Sequence, residues 1–119
     1  MKKLNKIMLA LSILPTLLTS VFLFFMNDTV PMHYNASGAV DRYGSKYENF
    51  IFPAIILFMY AFYIVYTKIY TKYSTNSVEK INNNVKITAI LVTSIIAAFN
   101  ILQLMFLILA VLKPDSTTF

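Results

Sequence analysis

The chain contains no cysteine. That excludes disulfides, zinc–thiolate sites, iron–sulfur clusters and a lipid-modified cysteine. Tryptophan is also absent, and there are only two glycines and one histidine. Two glycines cannot build a glycine-rich phosphate loop, and one histidine cannot supply a paired-histidine metal motif. Charge is scarce as well: 13% of residues are charged, about half of what covers the surface of a soluble domain. Acidic residues are fewest, five against ten Lys and Arg, giving a net charge of +5. The basic residues stand at the ends of apolar runs rather than along one stripe, as in membrane-flanking charge, so nucleic acid is not an expected partner.

What the chain has in quantity is hydrophobic residues, 58% of its 119. They fall into three uncharged runs, Ile7–Met26, Asn49–Thr67 and Ile87–Leu112. About twenty helical residues match a hydrocarbon layer of roughly 30 Å. The expected fold is therefore an all-α integral membrane protein, one membrane domain over 1–119 with spans at 7–26, 49–67 and 87–112. A polar loop at 27–48 joins the first two spans and a second at 68–86 joins the last two. The first run is long and lacks a small-residue cleavage pattern, so it reads as an uncleaved span. Lys and Arg number three before the first span and four in the second loop, against Arg42, Lys46 and Lys113 on the other side. This bias places the amino terminus in the cytoplasm and the first loop and carboxyl terminus outside a cell membrane.

Polar residues inside the runs mark helix contacts. Ser12, Thr16 and Ser20 recur at four-residue spacing and share a face, either receiving another helix or bonding back to their own. Asn100 and Gln103 also share a face, and their amides are expected to point at another helix rather than at lipid. Pro15 frees a carbonyl that a neighbouring helix can satisfy. Tyr60, Tyr63, Tyr66, Tyr70 and Tyr73 line one face at spacings of three and four, as a packing surface and interface anchor.

The first loop carries most of the chemistry. Asp28, His33, Asp41, Arg42, Lys46 and Glu48 cannot sit in lipid. Pro31 biases Val30 to extended backbone, and Ala36-Ser37-Gly38 supplies a turn with Gly38 free to take positive φ. A short β-hairpin-like loop capping the helix ends is expected, with Tyr34, Tyr43 and Tyr47 as surface anchors. Within it, His33, Asn35 and Asp41 form either a structural network, with Asp41 capping turn amides and orienting His33, or a recognition surface for a peptide or lipid headgroup. A metal site from His33, Asp41 and Asp28 or Glu48 is a third reading. Asn35-Ala36-Ser37 also fits a glycosylation sequon.

The string Pro31-x-His33-x-Asn35-x-x-Gly38-x-x-Asp41, followed by Lys46 and a second span entered through Pro53, resembles the family known as domain of unknown function 1648. The likeness runs over roughly Pro15–Ile64. That family forms the amino-terminal part of SdpI-type bacterial immunity proteins. The resemblance implies an integral membrane protein that in some members protects the producing cell from its own secreted toxin, and it implies no demonstrated catalytic activity; neither an enzyme role nor a cofactor is expected. The chain departs from the pattern in having Met26-Asn27 where a Leu-Pro pair is common, and in lacking the later Arg- and Trp-containing motif. The expected partners are the bilayer and a secreted toxin peptide, with a second copy of the chain as a further candidate. The rival expectations are an assembly subunit pairing through Ser12/Thr16/Ser20 and Asn100/Gln103, and a metal-dependent membrane enzyme. A transporter is disfavoured because the spans hold no ionisable residue.

Overall fold

The computed structural model describes residues 2–112. Lys113 and the rest of the tail used in the charge count lie outside the described residues. Helix α1 spans Lys2–Phe22 and ends in a short 3-10 turn, Leu23–Phe25. Strands β1 (Thr29–Tyr34) and β2 (Val40–Ser45) form an antiparallel hairpin. A 3-10 turn, Lys46–Phe50, leads into α2 (Ile51–Tyr73), and α3 runs from Val78 to Leu112. The helices pack side by side in a body 61 × 29 × 20 Å. All three are long and apolar enough to cross a membrane.

The apolar runs place the helices, but the helices outrun them. At α3 the 35 residues extend about 52 Å, well beyond a hydrocarbon layer of roughly 30 Å. Most of the stretch read as a second loop is therefore helical, and only 74–77 interrupts it. Lys and Tyr carry α2 on to Tyr73, since polar character ends a membrane span without ending a helix. The turn itself is built by serine. The backbone N–H of Ser74 donates to the Tyr70 carbonyl (2.9 Å), closing α2. Ser77 caps α3, its Oγ accepting from the Lys80 N–H at 3.2 Å. Tyr70 ties this end together, its phenol oxygen accepting from Asn84 Nδ2 (2.7 Å) and Asn76 Nδ2 (3.1 Å).

Each helix buries one narrow stripe. In α3, Ala89, Ile96, Gln103 and Ala110 are buried at seven-residue intervals. In α1 the buried positions are Met8, Ser12, Pro15 and Thr19, at spacings of four and three. Alternating spacings of this kind pack helices with a left-handed twist. Met8, Ile56, Tyr63, Ala89 and Ile96 form one core cluster. Met26, Val30, Leu107 and Ala110 form a second, under the hairpin. Outside these stripes the helices expose large apolar side chains such as Leu17, Phe58, Leu91 and Ile101, which suits a lipid environment.

The seam between α1 and α3 is polar at its centre. Pro15 has no N–H, so the Leu11 carbonyl loses its helical donor. Asn100 Nδ2 donates to that carbonyl (3.0 Å) and also to its own Ile96 carbonyl (2.9 Å). One turn on, Gln103 Nε2 donates to the Pro15 carbonyl (3.1 Å) and to Thr19 Oγ1. Of the hydroxyl trio, Ser12 is fully buried and its Oγ donates to the Met8 carbonyl (2.7 Å). Thr16 is half-buried, its Oγ1 shielded from solvent and without a hydrogen-bond partner among the described residues. Ser20 is exposed and donates to the Thr16 carbonyl (2.8 Å). The face presented to α3 is therefore Ser12–Pro15–Thr19, because a straight four-residue spacing drifts around the helix.

The tyrosine row divides for the same reason. Tyr63 is buried, its hydroxyl donating to Asn5 Oδ1 on α1 (3.2 Å). Tyr66 and Tyr73 point outward.

Candidate functional site: a polar hairpin over the bundle end

Hairpin β1–β2 sits over the end of the bundle formed by the carboxyl end of α1, the start of α2 and the last turns of α3. Its inner face is apolar. Val30 and Pro31 are fully buried, Val30 packing with Leu107 and Ala110. The Tyr34 ring lies against Phe106, with centroids 6.0 Å apart. This corrects the reading of Tyr34 as a surface anchor. Its hydroxyl is buried and finds no hydrogen-bond partner among the described residues. Burial, and secondarily the Tyr43 phenol nearby, raises its pKa above the ordinary 10.0. Tyr47, in contrast, is exposed.

Asn35 and Gly38 make the turn. Asn35 Oδ1 accepts from the Ser37 N–H (3.0 Å), the Ser37 hydroxyl (2.7 Å) and the Ala39 N–H (3.0 Å). The Asn35 backbone N–H donates to the Ala39 carbonyl (2.8 Å), and the Gly38 N–H returns to the Asn35 carbonyl (3.0 Å). Gly38 has φ +85°, where a side chain would be strained. The turn amides are thus held by Asn35 rather than by Asp41, the capping residue in the structural-network alternative. A short amide side chain two residues before the amides it serves has the reach that Asp41, on the returning strand, lacks.

Asp41 is committed to His33 instead. The two strands pair Thr29 with Ser45, Val30 with Gly44 and Pro31 with Tyr43, then slip on either side of His33 before Tyr34 meets Val40. At this irregularity His33 Nδ1 approaches Asp41 Oδ1 to 2.6 Å. With its proton on Nδ1, His33 donates to this carboxylate. Both side chains are open to solvent, 65% and 44% exposed. An exposed pair of this kind can accept and donate hydrogen bonds to a visiting ligand, but it has no dry pocket to strengthen its electrostatics.

The base of the hairpin is closed by charge and by one buried amide. Lys46 Nζ stands 3.5 Å from Asp28 Oδ1, and the Lys46 N–H donates to the Asp28 carbonyl (2.9 Å). Arg42 Nη1 donates to Glu48 Oε1 at 3.3 Å. Asn49 Nδ2 donates to the Lys46 carbonyl (2.9 Å) and reaches Met26 Sδ at 3.6 Å. By sequence Asn49 is only the first residue of the second uncharged run. Its burial is the missed residue of this site, and the signal was an amide directly before an apolar run. Gly44 lies on β2, paired with Val30. A Cβ there would lie 1.6 Å from Glu48 Oε2, so glycine lets Glu48 fold across to Arg42.

The string thus divides by role. Pro31, Asn35, Gly38 and Lys46 build and pin the hairpin, while His33 and Asp41 are its exposed chemistry. Among the described residues, no three His, Asp or Glu side chains converge to hold a metal ion. Ser12 Oγ, Asn100 Nδ2 and Gln103 Nε2 each donate to groups within the chain.

These features define a small multi-pass membrane protein whose first two helices are joined by an ordered polar hairpin. Residues 10–57 match the family model described as Domain of unknown function (DUF1648). The matched stretch covers most of α1, the whole hairpin and the first turns of α2, and it includes every residue of the Pro31–Asp41 string. No curated protein and no solved structure matches the chain.

Proposed function

We propose that the hairpin is a receptor for a secreted cationic or amphipathic peptide, and that its capture protects the cell in the manner of SdpI-type immunity proteins. The hairpin faces outward in this reading, as the Lys and Arg bias requires. The observation that supports it is the His33–Asp41 pair. Arg42 draws Glu48 and Lys46 draws Asp28, whereas the ion-pair partner of Asp41 among the described residues is the His33 imidazole. An exposed carboxylate on the returning strand of the hairpin is a natural partner for a peptide ammonium or guanidinium, and the His33 imidazole beside it offers a further polar contact. The reading is a binding role for this pair.

The test is expression in a sensitive host challenged with cationic antimicrobial peptides, comparing the native chain with Asp41→Asn and His33→Ala at equal membrane abundance. Protection by the native chain, lost in both variants, is expected. Unchanged killing of cells expressing the native chain by every peptide tried would remove the proposal.

A further inference from the structure

The opposite half of the bundle carries a groove that the hairpin reading leaves unused. Its larger part, about 330 Å³, is lined by Phe62, Val65, Tyr66, Ile69 and Tyr70 of α2. Beside it lies a second hollow of about 260 Å³ that shares Phe62 and is lined also by Phe58, Met59 and Val92. The rings of Phe62, Tyr66 and Tyr70 stack along one side, with centroids 6.4 and 5.8 Å apart. Phe58 to Tyr70 covers about 18 Å along the helix axis, close to the depth of one leaflet of a hydrocarbon layer of roughly 30 Å.

The mouth of the groove is basic. Lys72 lies on the next turn after Ile69, its Nζ 5.2 Å from the centroid of the Tyr73 ring. Lys68, Lys80 and Lys86 belong to the same end of the bundle, with Glu79 as the acidic residue of that stretch. The lining has no small residue that would let a helix backbone come close and no amide to register one, which argues against a partner helix. A flexible hydrocarbon chain fits stiff rings with irregular gaps, and basic sites at helix ends attract anionic headgroups.

We propose that this groove holds one acyl chain of an anionic phospholipid, with its phosphate at Lys72. The absence of tryptophan makes the test direct. Phe62→Trp places a single indole in the groove, and Ile13→Trp places one on a lipid-facing part of α1 as a reference. Each variant is reconstituted in phosphatidylcholine vesicles containing an equal fraction of brominated phosphatidylglycerol or brominated phosphatidylcholine. Phosphatidylglycerol is expected to quench the groove indole with about fivefold preference, the weight of one lysine near an anionic surface, and Lys72→Gln should remove that preference. The Ile13→Trp signal should not change with Lys72→Gln. Equal quenching by both lipids at Phe62→Trp, or a preference that survives Lys72→Gln, would overturn the proposal. So would quenching that falls as protein density rises, which would show a second copy in the groove.

Discussion

Asn35 carries more of the hairpin than any other side chain, because one carbonyl oxygen holds two backbone N–H groups and a hydroxyl. Asn35→Ala is expected to lose about 0.5–1.5 kcal/mol as solvent replaces its carbonyl at the exposed turn amides, seen as faster proteolysis between β1 and β2 in detergent. Gly38→Ala places a side chain at φ +85° and should cost about 1–2 kcal/mol by the same measurement. Asp41→Asn should leave this cleavage unchanged, which separates ligand chemistry from folding. Tyr34 makes a pH prediction. Its raised pKa means the folded state holds the phenol proton more tightly than the unfolded state. The associated stability is whole below pH 10.0 and falls as pH rises through the folded value. Tyr34→Phe should remove that alkaline loss in a pH series of thermal unfolding. It should cost little at neutral pH, since the hydroxyl has no partner to lose among the described residues.

Helix α1 depends on α3 for a bond it cannot make itself. Asn100→Leu leaves the Leu11 carbonyl bare and is expected to cost about 1–2 kcal/mol. Pro15→Ala restores the helical N–H that this carbonyl lacks, so Asn100→Leu should cost less in the Pro15→Ala background. Equal costs in the two backgrounds, measured by unfolding in micelles, would show that the amide does not serve the proline. The pairing was half legible: an amide in an apolar run must find a partner, but which carbonyl it finds depends on helix rotation. The serine–threonine stripe shows the same limit. Its spacing marked a face, yet the face that meets α3 takes in Thr19 and leaves Ser20 in the open.

Across the molecule, charge divides the two ends. Lys68, Lys72, Lys80 and Lys86 belong to the end with the 74–77 turn, and Arg42 and Lys46 to the hairpin end. The cysteine-free background allows single labels at Ala36→Cys and Ser77→Cys. A membrane-impermeant thiol reagent added to intact cells should label Ala36→Cys alone, and labelling of Ser77→Cys instead would reverse the orientation.

Three spans, one polar hairpin and the turn at Gly38 follow from composition and local spacing, because hydropathy and backbone sterics act within a few residues. The helix ends beyond the apolar runs did not, since lysine and tyrosine leave a membrane without leaving a helix. Nor did the division of labour between Asn35 and Asp41, the inward turn of Tyr34 or the repair of Pro15 by Asn100. Those were decided in three dimensions, where the rotation of each helix and a local slip in strand register choose which polar atoms come within bonding distance.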